Sequence, residues 1–197
     1  MRHTRIIVTH YGGPDALRVV EEECPEPKDG EVRVRVLAAG VSLPDIMARE
    51  GVHPETPRLP FTPGWDLIGM VDRLGVGISG IEPGQIVAAL PISGAYAEFV
   101  CLPQRELVPV PSGLDAAEAV SLVLNYVTAY QMLHRSAKVR PGQRVLIHGA
   151  AGGGSARRYC SLGASPGWRC TVLVHREGRR PFPTWALSRL ITSISTS

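Results

Sequence analysis

Residues 31–39 read EVRVRVLAA, and Val32, Val34 and Val36 alternate there with Arg33 and Arg35. A repeat of two is that of a β-strand, so the valines are expected to face a core and the two arginines water. Shorter strand-like runs flank it: RIIVTH from Arg5, LRVVEEE from Leu17, LIGMVDRLG from Leu67 and QIVAAL from Gln85. Turn chemistry separates them at regular intervals, in GGPDA, PEPKDGE, FTPGW, GVGISGIEPGQ and PISGA. Such spacing predicts a small antiparallel barrel rather than βαβ units.

The texture changes near residue 113. SGLDAAEAVSLVLNYVTAYQMLHRSA carries Ala and Leu at helical spacing, with Ser112 or Asp115 as N-cap and the basic cluster His134, Arg135 and Lys138 near its end. Two helical pieces are expected, with Tyr126 and Tyr130 on their core face. Next comes KVRPGQRVLIHGAAGG, a Pro-Gly turn, a buried strand from Val145 to Ile147 and a run of small residues. Doubly wound α/β sheets begin in this way. Glycines matter there because backbone without Cβ atoms can approach a pyrophosphate, and the helix that follows adds a favourable partial charge. That helix does not follow, since GSARRYCSLGASPGWRC has no long apolar stripe.

Composition adds a bound. The 197 residues are 44% apolar and 20% charged, which are globular values. The apolar run in MRHTRIIVTHYGG is too short for a secretory signal, and no stretch approaches a membrane span, so a cytoplasmic protein without membrane partners is expected. Cys24, Cys101, Cys160 and Cys170 are scattered and read as reduced thiols. Residues 1–154 hold 14 Lys and Arg against 17 Asp and Glu, whereas residues 155–197 hold 7 against 1. The basic tail lacks a helix-spaced cationic face or interleaved aromatics, so no nucleic-acid partner is expected.

The motifs AAGVSLPDIMAREG, LPFTPGWDLIGMVDRLGVGISGIEPGQIV, GAYAEFV, NYVTAY and VRPGQRVLIHGAAGG follow one another in the order and spacing of the medium-chain dehydrogenase/reductases. The chain resembles their zinc-independent quinone oxidoreductase, or zeta-crystallin-like, branch over residues from about 5 to 153. The resemblance implies a mainly β fold with an α/β part: a GroES-like β-barrel catalytic domain followed by the start of a Rossmann fold. It also implies NADPH-dependent reduction of quinones or other α,β-unsaturated carbonyls. Zinc-dependent relatives have a Cys in the stretch matching GVSLPD and Gly-His-Glu where this chain has Gly64, Trp65 and Asp66. Ser42 and Trp65 supply neither thiolate nor imidazole, so no metal is expected.

Reduction without a metal depends on hydrogen-bond donors and on holding the hydride donor against the enone. Ser42 stands where relatives often have an Asn near the nicotinamide, Asp45 matches an acidic position three residues on, and His53 stands near a substrate-side Tyr. These three are the candidate catalytic residues. Thr128 matches a position near the cofactor, and with Gly149, Ala150, Ala151, Gly152 and Gly153 forms the candidate NADPH site. Trp65 and Tyr96 read as packing residues at a domain junction.

After Gly153 the resemblance fails. Were Gly154–Cys160 encoded GGG-TCG-GCA-CGG-CGG-TAC-TGC with AGC for Ser161, the frame two bases on would read Val-Gly-Thr-Ala-Val-Leu-Gln, the start of the missing helix. A one-base frame change near Gly153 is therefore expected, giving a GroES-like domain at 1–112, linking helices and the first Rossmann strand and turn at 113–154, and an aberrant, poorly ordered basic tail at 155–197. Within that tail, CTVLVH is a candidate second strand and WALSRLITSI a candidate short helix. Three functions stay open: a weakly active quinone or enone reductase, a non-enzymatic barrel prone to self-association, and a basic-tailed binding protein.

Overall fold

The computed structural model describes residues 1–140, 143–147, 169–172 and 192–194, the last two stretches and most of 144–147 as backbone. It divides into two compact units, Met1–Leu124 and Asn125–Ser197.

The first unit is mostly β. β1 (Arg2–Val8) and β2 (Leu17–Glu23) form an antiparallel hairpin. β3 (Glu31–Ala39), β4 (Leu67–Leu74), β5 (Ile86–Ala89), β6 (Phe99–Pro103) and β7 (Val108–Pro109) form an antiparallel sheet in the order β6-β3-β4-β5-β7. Single bridges, Arg5 to Ala97 and Val8 to Phe61, tie the hairpin to the segments beside that sheet. Val32 and Val34 of β3 are fully buried with Leu67, Val71 and Val87, as the alternation predicts. Each such side chain contributes about 1.5–3 kcal/mol on leaving water.

One expectation on β3 is corrected. Arg35 is exposed, but Arg33 is buried. Its guanidinium lies 5.7 Å over the Phe99 ring and donates to Asp72 at 2.6 Å, to Glu26 at 3.0 Å and to the Pro25 carbonyl at 3.1 Å. The second face of β3 is thus covered at Arg33, by an aromatic and ion pairs rather than by aliphatics, and opens to solvent from Arg35 onward.

α1 (Leu43–Glu50) follows β3, and α2 (Ala116–Tyr130) follows β7. Asp115 rather than Ser112 caps α2, its Oδ1 accepting the N–H groups of Ala117 and Glu118 at 2.9 and 3.1 Å. Ala119 and Val120 pack on Ile68 of β4, with Val123 beside them, so the early turns of α2 belong to the barrel. The unit boundary consequently falls inside the helix.

In the second unit α2 runs without interruption into a π-helical turn at Gln131–Ser136, so one continuous element replaces the two expected pieces. Tyr126 is half-buried, but Tyr130 is exposed and stacks on the His134 ring at 4.5 Å, so it is no core residue. β8 (Arg144–Ile147) pairs parallel with β9 (Arg169–Val172), the strand expected within CTVLVH. β10 (Thr192–Ile194) pairs antiparallel with β9, which corrects the helix expected to end there. The rest of the predicted tail lies outside the described residues.

Candidate functional site

The site is assembled around a four-residue loop, Pro63–Asp66, which is bonded to α1 through Gly64, to the Ile92–Tyr96 segment through Pro63, Gly64 and Trp65, and to α2 through Asp66. Asp45, in the first turn of α1, is buried at 5% exposure. Its Oδ2 accepts the Ser42 backbone N–H at 2.8 Å and the Ser42 hydroxyl at 2.6 Å, and its Oδ1 accepts the Gly64 N–H at 3.0 Å. Ser42 is the N-cap, and Pro at the second helical position suits a first turn whose N–H groups lack intrahelical partners. Asp45 therefore ties the Ser42 turn to the loop. At Gly64 φ is +105°, and a Cβ would meet Ala95 and Tyr96 at 2.7 Å, so glycine is required there.

Asp66 is 2% exposed. Its Oδ2 accepts the Leu124 N–H of α2 at 3.1 Å, and its Oδ1 has no hydrogen-bond partner among the described residues. The carboxylate lies against Gly40, where any Cβ would overlap it. Burial raises the Asp66 pKa, the Leu124 N–H opposes that, and the Asp45 charge adds to it. Tyr96 donates its hydroxyl to the Gly40 carbonyl at 3.1 Å, and burial followed by Asp45 raises its pKa so that it stays neutral.

His53 stands with its ring edge-on to Trp65 at a centroid distance of 5.0 Å. Its Nδ1 accepts the Glu55 N–H at 3.1 Å, which in the neutral ring assigns the proton to Nε2. Ser42, Asp45 and His53 thus share one scaffold, but their chemistry differs. The Ser42 proton is committed to a short bond to a carboxylate, whereas the His53 Nε2–H makes no hydrogen bond among the described residues. Val41 at 80% exposure and Leu43 at 66% flank Ser42 with apolar surface.

In the second unit Thr128 is exposed on α2, and an open groove of about 310 Å³ on the same helix is lined by Tyr126, Val127, Tyr130, Gln131 and Arg135. Gly149, Ala150, Ala151, Gly152 and Gly153 lie outside the described residues. Among the described residues no three His, Cys, Asp or Glu side chains are grouped to hold a metal ion, and no helix is long and apolar enough to cross a membrane.

Two participants escaped the sequence reading. Asp66 entered it only as a missing zinc-motif residue, although a charge opening the apolar run DLIGMV is a signal of a buried, purposeful carboxylate. Gly40, its seat, carried no signal beyond being a glycine next to the Ser42 turn.

Comparison with known proteins places this architecture. The alcohol dehydrogenase GroES-like domain matches residues 28–112. The quinone oxidoreductase of Rattus norvegicus is 36% identical over 150 residues, 75% of this chain and 46% of that protein. The synaptic vesicle membrane protein VAT-1 homolog-like of Mus musculus is 38% identical over 148 residues, 75% of this chain and 36% of that protein. The chain belongs to the medium-chain dehydrogenase/reductase superfamily. Solved members superimpose on it closely. The human VAT-1 homolog-like protein gives a TM-score of 0.83 at 32% identity, covering 96% of this chain and 59% of that one. The Thermus thermophilus quinone oxidoreductase, also solved in complex with NADPH, gives 0.76 at 31%, covering 88% and 54%. The mainly β, GroES-like fold is thereby established, and the relatives include quinone oxidoreductases and an enoyl reductase. The chain spans less than half the length of these two curated relatives.

Proposed function

We propose that the chain carries the substrate side of a zinc-independent, NADPH-dependent reductase of quinones and other α,β-unsaturated carbonyl compounds. The observation that carries this reading is the assembly of the Ser42 turn, Trp65 and His53 on one rigid loop of a GroES-like barrel. The His53 Nε2–H is the donor that polarises the substrate carbonyl. Asp45 fixes the Ser42 turn, and the Trp65 ring and the apolar side chains around Ser42 exclude water. NADPH when bound supplies the hydride. Thr128 and the run Gly149–Gly153 would hold it, a fit supported by the parallel pairing of β8 with β9 and by β8 ending at Ile147, just ahead of that run. No metal enters, because Ser42 and Trp65 replace the zinc-ligating residue types. The protein works in the cytoplasm on a small molecule.

Because residues after Gly153 depart from the family pattern, we hold that a one-base frame change there leaves the chain with weak NADPH binding and low turnover. Saturable binding of 2-methyl-1,4-naphthoquinone to the full chain, read from Trp65 fluorescence with Trp168 and Trp185 replaced by Phe, tests the substrate side. Absence of saturable binding rejects it. Tight NADPH binding, or a closed alternative frame in the coding DNA, rejects the frame change.

A second reading is supported by the exposure of Val41, Leu43 and Ile46 at the start of α1 and of Val52 just past its end. A non-enzymatic barrel would use this surface to self-associate. Gel filtration at low and high salt distinguishes them, since a chain that stays monomeric at high concentration has no such role.

A further inference from the structure

Two non-glycine residues among those described have positive φ, Lys138 at 49° and Ile92 at 69°. Lys138 is an unbranched, exposed residue just beyond a helix end, where left-handed backbone is common. Ile92 is different. A β-branched side chain in the left-handed region is a true outlier, and such strain persists only where the surroundings over-determine it. They do so here. The Ile92 N–H donates to the Trp65 carbonyl at 3.3 Å, and the Ser93 hydroxyl donates to the Thr62 carbonyl at 2.6 Å. The N–H groups of Gly94, Ala95 and Tyr96 then bond the carbonyls of Thr62, Gly64 and Pro63 at 2.8, 3.2 and 3.0 Å.

The strain is not repaid by core packing. Ile92 is 42% exposed and belongs to none of the buried apolar clusters. Nor does the loop avoid glycine, because Gly94 with φ +107° supplies the left-handed geometry two residues later. A branched aliphatic side chain is thus held at a costly position, on the loop bonded to Trp65, while staying open to solvent.

We propose that Ile92 is a specificity-determining residue, held in left-handed backbone so that its side chain and Trp65 present an apolar wall to the flat ring of a cyclic conjugated carbonyl compound. This rests on the quinone and enone reading above and narrows it to fused or substituted rings over small acyclic enones. A bicyclic ligand buries its second ring against the wall, whereas an acyclic one does not reach it.

The experiment compares the full chain with Ile92→Gly, Ile92→Asn and Ile92→Val, using 2-methyl-1,4-naphthoquinone and 3-buten-2-one as probes and thermal unfolding as a second readout. Glycine and asparagine tolerate the left-handed region, so both are expected to raise the unfolding midpoint. Both should weaken naphthoquinone binding by on the order of 10-fold with little change for butenone, the range for removing apolar contact from a pocket. Ile92→Val keeps the branch and should bind within about 3-fold of the native chain. If glycine and asparagine raise the midpoint but leave naphthoquinone binding unchanged, the strain has no role in recognition and the inference falls while the substrate reading stands. If the native chain binds no naphthoquinone, both fall together.

Discussion

Replacing Asp45 separates a structural carboxylate from a reacting one. Asp45→Ala removes the acceptor of two backbone N–H groups, those of Ser42 and Gly64. Gly64 is buried, so its orphaned N–H costs about 2 kcal/mol. Ser42 is half-buried and water can reach its N–H, so losing that half of the helix cap costs about 1 kcal/mol. The freed Ser42 hydroxyl rotates to solvent at negligible cost. The expected loss is about 3 kcal/mol, or roughly 6–12 °C in unfolding midpoint for a chain of this size. Asp45→Asn keeps one acceptor oxygen and turns an NH2 towards the other donor, so about half the loss remains. Ser42→Ala removes the N-cap hydroxyl, which also faces the Asp45 N–H in the capping box, and should cost about 1 kcal/mol. Urea unfolding followed by Trp65 fluorescence, with Trp168 and Trp185 replaced by Phe, reads the barrel unit. A loss below about 1 kcal/mol for Asp45→Ala, or a loss for Ser42→Ala equal to that for Asp45→Ala, would show that Asp45 does not hold the turn.

Other substitutions test the rest of the loop. Burial raises the Asp66 pKa, so the native state binds its proton more readily than the unfolded chain, and stability falls as pH rises above the unfolded value towards the folded one. Asp66→Asn should therefore be more stable than the native chain at pH 7, with the gap closing towards pH 4 in paired urea titrations; a gap that widens on acidification contradicts the sign. Gly40→Ala drives a Cβ into the Asp66 carboxylate and should destabilise by about 1–3 kcal/mol, seen as a lower urea midpoint. His53→Phe keeps a ring beside Trp65 but loses the donor, so naphthoquinone binding should weaken by roughly 10-fold, whereas His53→Gln retains an N–H and should recover part of it. Equal binding by the two variants would remove His53 from carbonyl recognition.

The strands were legible because their signal is local. Val32, Val34 and Val36 repeat with the pleat, and FTPGW and PISGA mark turns without reference to anything distant. Arg33 was misjudged for the opposite reason, since its burial depends on Phe99, Asp72 and Glu26, none of them adjacent to it in sequence. The same limit applies to the site. Ser42, Asp45 and His53 stood out by resemblance, but their roles depend on which proton each has left to give, and that is decided by Gly64 and Glu55 through folded geometry. The continuation of α2 into a π-helical turn was also invisible, because its composition suits either one helix or two.

The division of labour among the polar groups follows from their saturation. A group that polarises a carbonyl must bring a proton that no stronger acceptor already holds. Ser42 fails, because its hydroxyl proton sits on Asp45 at 2.6 Å and would have to leave an anion for a neutral oxygen. Tyr96 fails as well, because its proton is given to the Gly40 carbonyl inside the loop cluster. Asp45 offers only acceptors, each engaged by backbone or cap. His53 alone among these combines a half-exposed ring, a nitrogen already oriented by a backbone donor and a second nitrogen carrying the proton. On the proposed reading the loop uses its acids to fix backbone and leaves the imidazole, the one group among these with an uncommitted proton, to meet the substrate carbonyl.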